Sequence, residues 1–202
     1  MTVAIIDYGV GNLRSVEKAF GAMGCEAIVS GDERVLRKAE RLVLPGVGAF
    51  AACMKALKER GFDRLVKERV SEGTPLLGVC VGMQLLFDES EEFRSTRGLG
   101  LLRGSVRRFP NDLVVPHVGW NRIHQRRANA LFEGVEEGAF CYFVHSYYCE
   151  PADESVVAGE TEYGVRYASV VADGNVCGVQ FHPEKSQEVG LRMLKNFATD
   201  PR

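Results

Sequence analysis

Short apolar runs alternate with longer amphipathic segments along the first ninety residues. Four of these runs have no charged or polar position and are predicted to be strands, of which the first and the last are predicted to be buried. They are Val3–Ile6, Ala27–Val29, Leu42–Leu44 and Leu76–Val79. After the first run, Asn12 is predicted to cap a helix that ends at Gly24, because apolar residues recur there at helical spacing.

The later segments extend this strand–helix rhythm and then change it. Phe50–Val70 is predicted to be mostly helical with a break at Gly61, and Gly82–Phe87 is predicted to start another helix. From about residue 98 to residue 179 the apolar runs shorten between Gly, Pro, Asn and Asp, which predicts antiparallel strands. The chain is predicted to close with a helix whose apolar face carries Val189, Met193, Leu194 and Phe197.

This order of elements predicts an α/β fold. The expected architecture is an open, mostly parallel central sheet with helices on both faces and antiparallel additions, because strand–helix–strand units bury a parallel sheet between helices. A length of 202 residues suits a single domain over residues 1–202.

Composition and charge exclude several classes of protein. Apolar residues make up 46% and charged residues 26% of the chain, which argues against disorder, collagen and coiled coil. The net charge of −2 leaves no basic excess to hold a nucleic acid. The longest uncharged apolar stretch, Leu42–Met54, is interrupted by Pro45 and two glycines and is shorter than the roughly 20 residues that span a bilayer. Because the start also lacks a basic segment, we expect a cytoplasmic protein without a membrane partner.

The six cysteines follow no metal-binding pattern, although their even number would also allow disulfides. No Cys-x-x-Cys pair occurs and no histidine has zinc-finger spacing, so no metal site is predicted. Without an export signal we expect reduced thiols, most of them small core residues. A cysteine therefore needs special surroundings to be a candidate for chemistry.

Cys80 has such surroundings. It lies in Gly78–Gly82, a Gly-x-Cys-x-Gly segment between a predicted strand and a predicted helix. This is the form of a nucleophile elbow, in which the nucleophile occupies a strained turn and only glycine fits two residues away on either side. The turn would leave the sulfur at a helix N-terminus, where unpaired N–H groups stabilise a thiolate. A core cysteine in a glycine-rich turn is the alternative, and Cys80 alone does not separate the two.

A histidine and a carboxylate follow another predicted strand. His182-Pro183-Glu184 comes after the run 176–181, and Pro183 favours an extended backbone at His182. Residues two apart in an extended chain point the same way, so Glu184 would orient the imidazole that takes the thiol proton. A surface turn with one solvated acid is the alternative.

Backbone donors for an oxyanion are expected after a third strand. Pro45–Gly48 follows the run Leu42–Leu44, and its glycines let peptide planes rotate. An N–H of Val47 or Gly48, together with that of Val81, would hold a tetrahedral oxyanion, whereas an ordinary turn is the alternative. Ligands of open α/β sheets gather at the carboxyl ends of strands, so the three motifs are expected to meet at one edge. The residues alone predict a Cys-His-Glu acyl-transfer enzyme.

The elbow and the His-Pro-Glu segment together resemble the catalytic residues of the class I (triad) glutamine amidotransferases, and the similarity covers nearly the whole chain. Further segments resemble one branch of that family, the glutaminase subunits of imidazole glycerol phosphate synthases in histidine biosynthesis. These segments are Asp7–Leu13, Pro45–Phe50, Pro116–Asn121 and Tyr142–Tyr147.

The resemblance implies a glutaminase reaction. Cys80 would attack the carboxamide of L-glutamine, and a γ-glutamyl thioester would release ammonia and then glutamate. His182 would act as base and then as acid, with Glu184 orienting it. Neither a metal nor an organic cofactor is implied. The implied substrate-binding residues are Gln84, Glu92, Ser146 and Tyr147.

The resemblance also implies a partner. A separate cyclase subunit with a (β/α)8 barrel, paired as a heterodimer, would use the ammonia to convert PRFAR to imidazole glycerol phosphate and AICAR. The interface candidates are Trp120 (otherwise a core anchor), Asn12 (otherwise a helix cap) and Lys185 (otherwise a solvated lysine). Most of the arginines in the middle of the chain are interpreted as a solvated strand edge rather than as a docking surface. They are Arg103, Arg107, Arg108, Arg122, Arg126 and Arg127.

Two other functions stay open at this point. A stand-alone cysteine peptidase or chaperone-like relative would use the same elbow without a partner, and would not need Gln84 or the segment around Trp120. A non-catalytic binding module would carry an unperturbed thiol. A further hypothesis concerns regulation: the glycines at 46 and 48 predict an oxyanion segment that is mispositioned in the free subunit and set by cyclase binding.

Overall fold

The computed structural model describes residues 2–200. The strands are β1 (Val3–Ile6), β2 (Ala27–Ser30), β3 (Arg41–Gly46), β4 (Leu76–Cys80), β5 (Phe87–Ser90), β6 (Thr96–Arg97), β7 (Leu102–Arg108), β8 (His117–Arg122), β9 (His124–Gln125), β10 (Phe140–His145), β11 (Tyr147–Pro151), β12 (Val157–Tyr163), β13 (Val165–Asp173) and β14 (Val176–Val179). The helices are α1 (Leu13–Ala22), α2 (Glu33–Lys38), α3 (Phe50–Glu59), α4 (Phe62–Ser71), α5 (Val81–Gln84) and α6 (Gln187–Thr199). Three single 3-10 turns cover Ala130–Phe132, Glu154–Val156 and Pro183–Lys185.

A parallel sheet forms the centre of the molecule. The strands β2, β1, β3, β4 and β14 lie side by side in that order, and all are parallel. The chain moves from β1 to β2 in one direction and then crosses back to β3, so right-handed crossovers place α1 and α2 on opposite faces. Helix α1 packs beside α6, whereas α2 and α3 pack against α4. The predicted α/β fold with helices on both faces is confirmed.

Antiparallel strands extend this centre on one side. Strand β13 pairs antiparallel with β14, and β11 pairs antiparallel with β13 and with β7. Strand β12 lies antiparallel to β13 and carries the short strand β9. The predicted antiparallel additions are therefore present, although β5 pairs parallel with β7. Strands β8 and β10 form a separate antiparallel ribbon.

The core explains the apolar runs of the sequence. All four residues of β1 and all six of β3 are buried, because helices cover both faces of the sheet. Each fully buried aliphatic or aromatic side chain stabilises the fold by about 1.5–3 kcal/mol relative to exposure. The helical break at Gly61 is confirmed: Gly61 adopts a left-handed backbone conformation between α3 and α4.

Two local predictions differ from the structure. The helix predicted over Gly82–Phe87 is wrong beyond its first turn, because α5 ends at Gln84 and Phe87 begins β5. A short buried apolar run has no periodicity that separates helix from strand. The hydrophobic pattern also shows no sign of α2, a six-residue helix with Leu36 as its buried residue. Its N-cap is Asp32, whose side chain accepts from the Arg34 N–H.

The N-cap expected at Asn12 is only partly right. Asn12 stands at the N-cap position of α1, but its side chain makes no capping hydrogen bond. The amide instead donates to Glu184 at 3.4 Å.

No helix within residues 2–200 combines the length and the apolar character that crossing a bilayer requires.

Candidate active site

Three adjacent parallel strands bring the sequence motifs to one edge of the sheet. Gly46 at the end of β3 pairs with Cys80 at the end of β4, and Val79 pairs with Val179 of β14. Because parallel strands end on the same side, the segments that follow β3, β4 and β14 are neighbours. The structure therefore places the oxyanion segment, the elbow and the His-Pro-Glu segment together.

The elbow is a strained turn. Cys80 has φ 55° and ψ −116°, a conformation that side chains rarely adopt and that costs of order 1–3 kcal/mol. A Cβ on Gly78 would lie 2.7 Å from the Gly82 carbonyl oxygen, and a Cβ on Gly82 would lie 1.8 Å from the Leu44 carbonyl oxygen. Glycine is thus required on both sides of Cys80, since backbone occupies the space on each side.

Gly46 and Gly48 have different roles. A Cβ on Gly46 would lie 2.7 Å from the Gly82 nitrogen, so Gly46 is needed for close contact with the elbow rather than for rotation. Gly48 has φ +82°, and a Cβ added there would meet no atom within 4 Å, so it is the residue with conformational freedom. Within residues 2–200, the N–H groups of Val47 and Gly48 have no hydrogen-bond partner. The expectation of free N–H donors fits Val47 and Gly48. The expectation that the peptide plane at Gly46 can rotate does not fit the structure, because Gly46 is packed against the elbow.

His182 and Glu184 interact through a turn rather than along an extended strand. His182 is extended as predicted, but Pro183–Lys185 forms a 3-10 turn. The turn is closed by the Lys185 N–H and the Ser186 hydroxyl, which both donate to the His182 carbonyl. It brings the Glu184 Oε1 to 3.0 Å from the His182 Nδ1. A carboxylate only accepts, so Nδ1 carries a proton and Nε2 is the ring atom left for Cys80.

The electrostatics favour a charged His182–Glu184 pair. Burial lowers the pKa of His182, but its hydrogen bonds with Cys80 and Glu184 outweigh burial and raise that pKa to about 10. Burial raises the pKa of Glu184, but the hydrogen bonds from His182 and Asn12 outweigh it, so the pKa of Glu184 lies below its usual range. Because α5 has only one turn, the ionisable partner of Cys80 is His182 rather than a long helix dipole.

An open cleft of about 550 Å³ lies over these groups. Nine of the predicted catalytic, oxyanion and substrate-binding residues line the cleft, and so does the interface candidate Lys185. The nine are Val47, Gly48, Cys80, Val81, Gln84, Glu92, Ser146, Tyr147 and His182. Glu184 lies behind His182, and Asn12 touches Glu184, so neither lines the cleft.

Sequence reasoning missed Gln180, a completely buried residue beside the cysteine. Its Nε2 donates to the Cys80 Sγ at 3.9 Å, and its Oε1 accepts from the Gln84 Nε2 at 3.1 Å. The Gln84 Nε2 also donates to the Tyr147 carbonyl at 3.1 Å. The sequence feature that could have identified Gln180 is its position two residues before His182, because alternate residues of an extended segment face the same side.

Opposite charges line one wall of the cleft. The Glu92 Oε2 accepts from the Phe50 N–H at 2.5 Å, at the first residue of α3. Arg108, expected to be solvated strand edge, also borders the cleft. A carboxylate and a guanidinium on one wall suit a zwitterionic amino acid.

Trp120 lies outside the cleft, on the outer face of the ribbon formed by β8 and β10. It is 45% exposed, and Val118 and Phe140 on the same ribbon are also exposed. The Trp120 and Tyr142 rings pack edge to face with their centroids 5.8 Å apart, and the Lys185 Nζ lies 5.9 Å from the centroid of the Tyr142 ring. Trp120 is therefore not a core anchor, and its ring contact with Tyr142 leads to Lys185, which lines the cleft.

Comparisons with known proteins match the chain over almost its full length. A family model described as "Glutamine amidotransferase class-I" matches residues 4–200. A curated protein from Geobacter metallireducens, named "Imidazole glycerol phosphate synthase subunit HisH", is 50% identical over 204 residues, which cover 98% of this chain and 97% of that protein. A protein of the same name from Geobacillus kaustophilus is 53% identical over 201 residues, which cover 96% of this chain and 95% of that protein.

Solved structures share the fold. A structure described as "Crystal structure of glutamine amidotransferase" aligns with a TM-score of 0.77 at 24% identity and covers 97% of this chain and 98% of that one. The "Structure of PurLQS from Thermotoga maritima" aligns with a TM-score of 0.78 at 19% identity, and the alignment covers 97% of this chain and 96% of that one.

Proposed function

The chain belongs to the class-I glutamine amidotransferase family, and from this premise we propose that it is the glutaminase subunit of an imidazole glycerol phosphate synthase. The observation that carries the proposal is the cleft in which Cys80 and His182 meet, with Glu184 hydrogen-bonded behind His182. The same cleft is lined by a carboxylate and a guanidinium, Glu92 and Arg108. Relatives with that name at about half identity support the choice within the family.

The first half of the reaction forms a thioester. The Cys80 thiolate attacks the carboxamide carbon of L-glutamine, and the carbonyl electrons move onto the oxygen. The Val81 N–H, with that of Val47 or Gly48, stabilises this oxyanion. His182 then gives a proton to the leaving nitrogen, the C–N bond breaks, and ammonia departs from a γ-glutamyl thioester.

The second half releases glutamate. Neutral His182 takes a proton from a water molecule, which attacks the thioester carbon. The C–S bond breaks, and Cys80 leaves as the thiolate beside protonated His182. Glu184 holds the Nδ1–H tautomer throughout, so that Nε2 alone exchanges protons.

The substrate's amino-acid end is placed against the charged wall. Glu92 binds the α-ammonium group, and Ser146 and Tyr147 hold the main-chain end of the substrate. Arg108, which the sequence did not single out as a site residue, supplies the positive charge for the carboxylate. Gln84 is fixed by two acceptors on its nitrogen, which leaves its oxygen for the substrate.

The partner is a cyclase subunit with a (β/α)8 barrel, bound as a heterodimer in the cytoplasm. It uses the ammonia to convert PRFAR to imidazole glycerol phosphate and AICAR. The surface that supports this assignment contains Trp120 and Lys185 next to the cleft, with Asn12 on the Glu184 side. Exposed aromatic residues of this kind are enriched at protein interfaces.

Cyclase binding is expected to stimulate glutamine hydrolysis by about 10²–10³-fold, the effect of one oxyanion donor. The physical reason is the freedom of Gly48, which lets the peptide groups of residues 47–48 rest in an unproductive orientation. Glutamate release would be measured for the purified chain alone and with the cyclase plus its nucleotide substrate. Equal turnover in both conditions would contradict the regulatory part of the proposal, and no release in either would contradict the glutaminase assignment.

Glu184→Gln is expected to reduce kcat by ~10²–10⁴-fold, because an amide lets His182 adopt the wrong tautomer. The stability difference from the wild type also depends on pH. The lowered Glu184 pKa contributes stability above the ordinary value of 4.5, and this is lost as the pH falls through the folded value. The raised His182 pKa contributes fully below 6.5, and this is lost as the pH rises through about 10.

The difference in melting temperature between wild type and Glu184→Gln should therefore be largest between pH 4.5 and 6.5 and smaller near pH 10. Glu59→Gln is the matched control, because Glu59 is exposed and its carboxylate forms an ion pair only with Lys55, at 3.7 Å, among residues 2–200. A difference in melting temperature that stays constant from pH 4.5 to pH 10 would contradict the assigned role of Glu184. A kcat of the variant within a few-fold of wild type would also contradict it.

A further inference from the structure

A buried polar cluster lies between the β8–β10 ribbon and β13, at the inner wall of the cleft, where His145 is one of the lining residues. It contains His117, His145 and Tyr167, all nearly inaccessible to solvent. The His145 Nε2 is 3.2 Å from the Tyr167 hydroxyl and 3.4 Å from the His117 Nδ1. The His145 Nδ1 is 2.8 Å from the Tyr147 carbonyl oxygen. The mechanism described above uses none of these three side chains.

The hydrogen bonds of His145 determine where its proton lies. A carbonyl oxygen only accepts, so the His145 Nδ1 must carry a hydrogen and donate it to Tyr147. Burial lowers the pKa of His145 to about 3, so the ring is neutral and its Nε2 has no hydrogen. The Tyr167 hydroxyl can donate to this nitrogen from 3.2 Å, and the His117 Nδ1 lies 3.4 Å from it. One neutral tautomer therefore satisfies the buried ring.

The Tyr147 carbonyl connects His145 with Gln84. It accepts from the His145 Nδ1–H at 2.8 Å and from the Gln84 Nε2 at 3.1 Å. The Gln84 Nε2 also donates to the Gln180 Oε1 at 3.1 Å. The amide of Gln84 is thus held with its nitrogen toward the protein, provided that the Tyr147 carbonyl stays in place.

We infer that His145, as its Nδ1–H tautomer, is a positioning residue for the substrate: it fixes the Tyr147 carbonyl and, through it, the orientation of Gln84 in the cleft. This inference rests on the proposed glutaminase function. His145 transfers no proton to the substrate; it sets the geometry of the two residues that hold glutamine. Its loss should therefore weaken substrate binding more than it slows the chemical steps.

Two substitutions separate positioning from packing. His145→Asn keeps a donor at the δ position, whereas His145→Gln moves the amide to the ε position and removes the donor to Tyr147. Both remove the ring and its contacts with Phe109 and Phe143, so they lose the same packing. We expect His145→Gln to raise the glutamine KM by roughly tenfold with kcat within about threefold, the effect of one lost hydrogen bond. His145→Asn should stay within about threefold of wild type in both constants.

The tautomer is measured directly on the wild-type protein by two-bond ¹H–¹⁵N correlation NMR of the histidine rings. The expected spectrum shows His145 with a protonated Nδ1 and an unprotonated Nε2 at neutral pH, assigned by its absence from His145→Asn. This measurement does not depend on the activity of the protein, and only the assignment of the signal uses the folded variant. A protonated Nε2, or a doubly protonated ring, would overturn the inference.

The two experiments also distinguish the inference from the function on which it rests. If the wild type releases no glutamate with its cyclase, the proposed function fails, and the NMR spectrum still tests the tautomer. If the wild type is active, equal KM values for folded His145→Gln and wild type overturn the positioning role. Equal KM increases in folded His145→Asn and His145→Gln also overturn it, because packing alone then accounts for both.

Discussion

Cys80→Ala is expected to lower glutamate release by more than about 10⁴-fold while the protein stays folded. Removing the nucleophile from a catalytic triad removes the covalent route, and only binding and oxyanion stabilisation remain. Alanine occupies less space than cysteine, and the elbow is held by Gly78 and Gly82, so the turn should persist. The measurement is single-turnover and steady-state glutamate release with the cyclase and its nucleotide substrate present.

Cys25→Ala is the matched control for this loss. Cys25 is a half-buried free thiol whose only described hydrogen bond is to the Met23 carbonyl at 3.9 Å, so its removal should leave turnover within about twofold. An electrophilic glutamine analogue should label the wild type and Cys25→Ala once each and leave Cys80→Ala unlabelled. Turnover by Cys80→Ala close to that of wild type would eliminate the thioester mechanism.

Gly82→Ala is expected to destabilise the fold by about 3 kcal/mol or more and to abolish most of the activity. The new Cβ would lie 1.8 Å from the Leu44 carbonyl oxygen. No side-chain rotation can relieve this clash, because the position of a Cβ is fixed by its own backbone and the oxygen belongs to the backbone of β3. Either β3 or the elbow must move, and each movement displaces Cys80 from His182. The expected fall in melting temperature is roughly 6–12 °C for a domain of this size.

Gly21→Ala is the matched control for Gly82→Ala. Gly21 lies in α1, and a Cβ added there would meet no atom within 4 Å, so alanine should leave activity unchanged and stabilise the helix by about 0.5–1 kcal/mol. A melting temperature of Gly82→Ala equal to that of wild type would contradict the close contact between β3 and the elbow.

The features predicted correctly are those with a local cause. The apolar runs of β1, β3 and β4 predict buried strands, since a strand covered on both faces has no polar position. Gly78 and Gly82 predict the elbow because steric contact within a few residues demands them. The α2 helix and the early end of α5 were not predictable in this way, because six residues and four residues are too short for periodicity.

The cleft depends on contacts that the sequence does not display. Gln180 reaches Cys80 across a separation of 100 residues, and Gln84 reaches the Tyr147 carbonyl across 63. Arg108 borders the cleft because β7 pairs with β11 directly beside Tyr147, although its neighbours in the chain suggested a solvated edge. Side chains of this kind acquire a role only from the register and twist of strands that are far apart in the chain.

The sequence by itself determined the buried strands β1, β3 and β4 and the strained cysteine turn, because backbone sterics and hydrophobic periodicity act over a few neighbouring residues. Its motifs also indicated the family to which the chain belongs. Only the tertiary structure decided that Glu184 reaches His182 through a 3-10 turn, and that His145 lies behind Tyr147. The physical reason is that hydrogen bonds and charge pairs act over a few ångströms of space, and the packing of the sheet alone determines which distant residues come that close.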